Sequence, residues 1–226
     1  MGDWYMKIRI DQMISLGGTC STRHQLERLH KKYKPETVMS SYFFDWLWRN
    51  GGFESSLSVL QESLILERED FCLEPVYNHH YEVFNRRHKL FFLHDFEFKD
   101  ASIAADLNQL NNEMEIQFDS FIRKYEHLAT KTRKIIEENK NLALVYAIDG
   151  ISEAQAKAFF DLLTDNYRAS PLLIHLPDTS KNFGSPNHEN VISRPFRHDS
   201  RWWSGFDDEW EMSLGEIISS GFAEVI

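Results

Sequence analysis

Cys20 stands in the run Met13-Ile14-Ser15-Leu16-Gly17-Gly18-Thr19-Cys20-Ser21, where an apolar stretch ends in two glycines and an amphipathic run begins. Strand, turn, thiol, helix is an order that activates a cysteine. The first amides of a helix lack internal partners and favour an anion placed against them. A thiolate there is expected to titrate below the ~8.5 of a free thiol. The amides from Cys20 to Thr22 are candidates for holding the oxyanion of an acyl-transfer intermediate. Gly18, Thr19, Ser21 and Thr22 are thus the expected anion-binding residues. Gly17 and Gly18 permit the sharp reversal. The competing reading is a small buried residue at a strand–helix junction, since free cysteine is among the most buried types.

A thiol nucleophile needs a base within hydrogen-bond reach and a group to orient that base. Of the ten histidines, His94 is the strongest candidate, because it follows the apolar run Leu90-Phe91-Phe92-Leu93. Asp95 is its neighbour, but adjacent side chains on an extended backbone point apart. Asp45, set between Phe44 and Trp46, reads either as the orienter or as a helix N-cap. If buried it must be paired. Trp46, Trp203 and Trp210 are candidate pocket-lining rings, with Arg201 to Trp210 reading equally as a lid packed on the core. No CxxC, HExxH or comparable spacing supports a metal. No phosphate-binding glycine signature or GxSxG elbow is present, so neither metal nor cofactor is expected.

These residues need elements to hold them. Arg9 to Leu16 reads as a first strand and Thr22 to Tyr33 as a helix, with Leu26, Leu29, His30 and Tyr33 on one face. A second helix is expected over Phe53 to Leu66, and residues 71–93 read as irregular up to the strand at Leu90. Ile103 to Lys140 is long and helical. Leu142 to Ile148 is a continuous apolar run suited to a strand covered on both faces. Ser152 with Gln155 suits a capping box. Further strands are expected at Pro171 to Leu176 and Asn190 to Phe196, and a last helix at Glu209 to Phe222. Alternating strands and helices predict an α/β fold, a mostly parallel sheet flanked by helices in a Rossmann-like three-layer arrangement. Residues 1–226 then form one domain, with 35–88 as a helical or irregular insertion near the site. Ligands bind such sheets beyond the carboxyl ends of the strands, and Cys20, His94, Asp149 and His175 all fall at or just after expected strand ends.

Bulk properties narrow the function further. The chain has 226 residues, 35 acidic against 25 basic, and a net charge of −10. That balance opposes a non-specific nucleic-acid binder. Two distant cysteines are no disulfide framework. The N-terminus shows no secretory signal, and no apolar run approaches the ~18 residues of a membrane span. A cytoplasmic protein acting on a small-molecule, peptide or glycan substrate is expected. Oligomeric state is open.

The pattern Ile14-Ser15-Leu16-Gly17…Cys20, then Ser41…Phe44-Asp45-Trp46, then Phe91…His94-Asp95 resembles the bacterial papain-like cysteine peptidase family of unknown function. Arg123-Lys124-Tyr125, the strand at Leu142 to Ile148, and Trp203-Ser204-Gly205 through Trp210 also follow that family's layout, so the resemblance spans most of the chain. Phe43 stands where the family commonly has proline. The resemblance implies Cys20 as nucleophile, His94 as base and Asp45 or Asp95 as the third polar member. It carries a papain-like α+β arrangement as the alternative fold. The expected activity is that of a cysteine hydrolase or acyltransferase. The alternative is a non-hydrolytic Rossmann-like module that binds or transfers a nucleotide or glycan.

Overall fold

The computed structural model describes residues 6–77, 79–181, 183–198 and 207–225. In chain order the elements are β1 (Met6–Arg9), β2 (Gln12–Ser15), α1 (Cys20–Tyr33), β3 (Trp48–Arg49), α2 (Phe53–Gln61), β4 (Phe71–Val76), β5 (His80–Asn85) and β6 (Leu90–Phe91). They continue with α3 (Leu107–Glu138), β7 (Leu142–Ile148), α4 (Glu153–Tyr167), β8 (Leu172–Pro177), β9 (Val191–Ser193), α5 (Asp207–Ser220) and β10 (Phe222–Val225). The result is a mixed α/β architecture: a four-stranded parallel sheet in the order β2-β7-β8-β9, a four-stranded antiparallel sheet in the order β3-β6-β5-β4, and the antiparallel pair β1-β10.

Every residue of β7 and β8 is buried, as the unbroken apolar runs require when both faces of a sheet are covered. On one face Ile14, Leu144, Tyr146 and Leu173 join a core with residues of α2, α3 and α4. On the other, Ala143, Val145, Ala147 and Ile174 pack with Leu26 and Leu29 of α1 and with Trp210, Leu214 and Ile217 of α5. The capping box at Ser152 and Gln155 forms as the sequence predicts. His175 is not a strand-end group. It sits inside β8, fully buried, with Nε2 against the Asp149 carbonyl at 2.9 Å, and burial lowers its pKa.

Two local expectations change. The first strand divides at Ile10, whose amide bonds to Gly221 O while that of Asp11 bonds to Asn141 O. The chain therefore leaves the β10 partner and joins β7 within one residue. The segment 35–88, expected to be helical or irregular, holds α2 and most of the antiparallel sheet. Glu74, Pro75 and Glu82 mask its alternation, yet Phe71, Val83, Asn85 and Leu90 are buried on one face. That face packs on α3, where Phe71 and Phe92 meet Phe118, Phe121 and Tyr125 edge-on at 5.0–5.3 Å.

On the outer face, burial pushes Glu82 up to about 7 from an ordinary 4.5. The folded chain therefore holds a proton that the unfolded chain releases across that window, and stability falls as pH rises through it. Glu82→Gln should melt with the native protein near pH 4. Above pH 7.5 it should be more stable, by about 1–2 kcal/mol after allowing for partial exposure. Thermal melts at the two pH values check this; an offset independent of pH refutes it.

Candidate active site

Cys20 is the first residue of α1, half-buried, directly after a turn in which Gly17 and Gly18 have φ of 80° and 114°. Those angles suit glycine and disfavour other residues. The turn is pinned from three sides. The Gly17 amide donates to Ser15 Oγ at 2.8 Å, Ser56 Oγ of α2 donates to Leu16 O at 3.0 Å, and Thr22 Oγ1 donates to Gly17 O at 3.4 Å. Thr19 is the N-cap residue but gives no side-chain cap; its hydroxyl bonds instead to that of Ser21. The Thr22 amide turns back onto Thr19 O. The anion-binding expectation thus narrows to the amides of Cys20 and Ser21, and the Cys20 amide already leans on its own sulfur.

His94 comes to the thiol from the other sheet. Its Nε2 lies 3.2 Å from Cys20 Sγ. It follows β6 in a turn at the end of the antiparallel sheet, not at a carboxyl end of the parallel one. Trp46 completes the contact: its carbonyl oxygen is 3.7 Å from the sulfur, and its indole meets the His94 ring edge-on at 5.9 Å. Trp46 has φ of 66°, a left-handed conformation costing about 1–2 kcal/mol in a non-glycine residue. Such strain persists only where the surroundings over-determine it.

Two aspartates lie beside this contact and neither is hydrogen-bonded to the imidazole, which for Asp95 follows from the divergence of adjacent side chains. Asp45 does not orient His94. Its Oδ2 accepts from Arg23 Nη1 at 2.7 Å and from the Tyr42 amide at 2.8 Å, closing the turn that leads into Trp46. Both partners of this ion pair are 1% exposed at the side chain. Arg23 also holds the carbonyls of Ser40 and Met39, and Thr132 of α3 takes the Phe43 amide. Burial pushes Asp45 up to about 7, against the opposing pull of Arg23 and the Tyr42 amide. Asp95 also turns away from the imidazole, toward Lys124 and the Tyr125 hydroxyl of α3, the latter at 2.9 Å. It anchors the backbone that carries His94. Among the described residues no carboxylate is hydrogen-bonded to the His94 ring.

Of the three tryptophans, Trp46 lines the thiol. Trp210 does not: it is wholly buried on the inward face of α5, with Phe196 at 5.0 Å. Its place in the apolar stripe with Leu214 and Ile217 makes it core. Trp203, with the segment around it, lies outside the described residues. A cleft of about 350 Å³ opens beside Ile10, Met13, His30 and Ile217, at the opposite end of β2 from the thiol. Arg23 escaped the sequence reading although a signal existed. It lies three residues before Leu26 on the inward face of α1, and an arginine there demands a buried carboxylate.

Burial pushes the Cys20 thiol up to about 11, opposite to the expected depression. At this depth the helix terminus does not ionise the sulfur by itself. A thiolate at neutral pH needs the imidazolium at 3.2 Å as counter-charge, with the thiol proton resting on Nε2. Among the described residues no group of three metal-ligating side chains occurs, and no helix is long and apolar enough to cross a membrane. Compared with protein-family models, with curated proteins and with solved structures, the chain finds no match in any of the three.

Proposed function

We propose that the protein is a cysteine-dependent hydrolase or acyltransferase, peptidase-like in its chemistry and built on a Rossmann-like three-layer core. The observation that carries this reading is the 3.2 Å approach of Cys20 Sγ to His94 Nε2. The thiolate adds to the carbonyl carbon of an ester or amide. The oxygen gains the negative charge beside the Cys20 and Ser21 amides. His94 returns its proton to the leaving alcohol or amine as the carbon–heteroatom bond breaks, leaving a thioester on Cys20. Water, or a second nucleophile in an acyl transfer, then gives a proton to His94 and releases the acyl group. Asp45 and Asp95 support this as positioning residues, one for Trp46 and one for the His94 turn. Two unpaired cysteines suit a reducing cytoplasm.

Cys72 is the internal control, half-buried on the antiparallel sheet with its pKa raised by burial and by Glu74. At pH 7, iodoacetamide should alkylate Cys20 at least tenfold faster than Cys72 by peptide mass spectrometry. Equal, slow labelling of both removes the reading. Stabilisation by a nucleotide or sugar nucleotide that survives Cys20→Ser, without thiol reactivity, would put the binding module in its place.

A further inference from the structure

We propose that the cleft between Trp48, Tyr77 and Phe91 is the specificity pocket of this thiol site and receives an uncharged aromatic side chain of the substrate. The proposal rests on the Cys20–His94 reading and extends it to substrate class. The cleft has a volume of about 270 Å³ and is lined by Trp48, Asn50, Pro75, Val76, Tyr77 and Phe91. None of the six is charged, on a chain of net charge −10. One amide side chain among apolar walls is the composition of a pocket that takes an apolar group and fixes its orientation with few polar contacts.

Register ties the cleft to the catalytic pair. Trp48 of β3 lies directly opposite Phe91 of β6 in an antiparallel pair. Two residues back from Trp48 is Trp46, and three residues on from Phe91 is His94. Because the strands run in opposite directions, both steps lead out of the same end of the sheet. Three residues span at most about 10 Å, so the Trp48–Phe91 wall of the cleft and the Trp46–His94 contact lie at the same end of the sheet. The walls are tilted rather than coplanar: the Trp48 and Tyr77 rings meet at 53° with centroids 5.5 Å apart, and Phe84 backs Phe91 at 4.6 Å. A corner of this kind encloses the face and edge of a planar ring, whereas a flat platform would suit a pyranose.

Tyr77 supplies an independent argument. It is 69% exposed, and its backbone has φ of 50° at the tip of the β4–β5 hairpin. Glycine would fill that position without strain. A strained, solvent-facing tyrosine held against Trp48 contributes little to the core, and its position suits it to gripping a ligand.

The test compares alkylation of Cys20 by iodoacetamide with alkylation by its N-benzyl and N-phenethyl derivatives. In each case the thiolate displaces iodide from the methylene carbon, so the reacting bond is constant and only the ring is added. At least one aryl reagent should react tenfold or more faster than iodoacetamide. In Tyr77→Gly, which relieves the backbone, the ratio of the aryl rate to the iodoacetamide rate should fall to about twofold. In Cys20→Ser, N-benzylacetamide should shift the NMR signals of Trp48 and Tyr77 saturably, and Tyr77→Gly should abolish the shift. Absence of both the aryl preference and the shift overturns the pocket, even with a fast thiol. A saturable shift on an unreactive thiol sustains the pocket and refutes the enzyme. A shift with methyl glucoside in place of the aryl amide overturns the assignment to an aromatic ligand.

Discussion

His94→Ala should slow alkylation of Cys20 at pH 7 by about 100-fold and leave Cys72 unchanged. Burial, opposed by the Cys20 amide, sets the thiol at about 11, which leaves roughly one molecule in 10⁴ as thiolate at pH 7. Removing the ring also admits water to the sulfur, which returns the thiol toward 9 and restores about 1% thiolate. A more basic thiolate is also intrinsically more nucleophilic, recovering part of the loss. The pH profile is the sharper readout. In the native protein the proposed ion pair should keep the rate high and nearly flat around neutrality. In His94→Ala the rate should climb almost tenfold per pH unit up to about pH 8 and level off above about pH 9, because only deprotonation by solvent then supplies the nucleophile. An unchanged rate and profile would mean that the 3.2 Å contact is an ordinary hydrogen bond of a neutral thiol.

Asp45→Ala should be the most damaging single substitution to stability among the site residues, costing about 3–4 kcal/mol. It removes the buried partner of Arg23, which keeps only the half-exposed Glu27 carboxylate, and leaves the Tyr42 amide without an acceptor. For a chain of this length that corresponds to roughly 10 °C in melting temperature. Asp45→Asn keeps an acceptor for the amide and should lose less. A double-mutant cycle with Arg23→Ala should give a coupling above about 1.5 kcal/mol, as expected of side chains that share one network. The loop bearing Trp46 should loosen as well, lowering the Cys20 labelling rate even below the melting transition. A loss under 1 kcal/mol for Asp45→Ala would contradict the pairing.

The turn that presents Cys20 and the parallel sheet were legible because each depends on local pattern. Gly17-Gly18 before Cys20 fixes a turn, and Leu142 to Ile148 has no polar residue to expose. The antiparallel sheet was hidden because Glu74, Pro75 and Glu82 interrupt its alternation and its apolar face is completed only by α3. The roles of the aspartates were unreadable for a related reason. Asp45 is paired across 22 residues and Asp95 across 29 and 30, and no short-range signal says which distant cation a carboxylate will meet. The thiol pKa went the other way because Cys20 is covered by groups distant in sequence, with Trp46 26 residues and His94 74 residues away in contact with the sulfur.

Sulfur and imidazole follow strands of two separately hydrogen-bonded sheets. A shear of about 1 Å between those sheets would part the pair while leaving every strand intact. Warming or mild denaturant should therefore silence the thiol before the fold itself gives way. A ligand clasping both sheets would act as a splint, raising reactivity without touching either reacting atom.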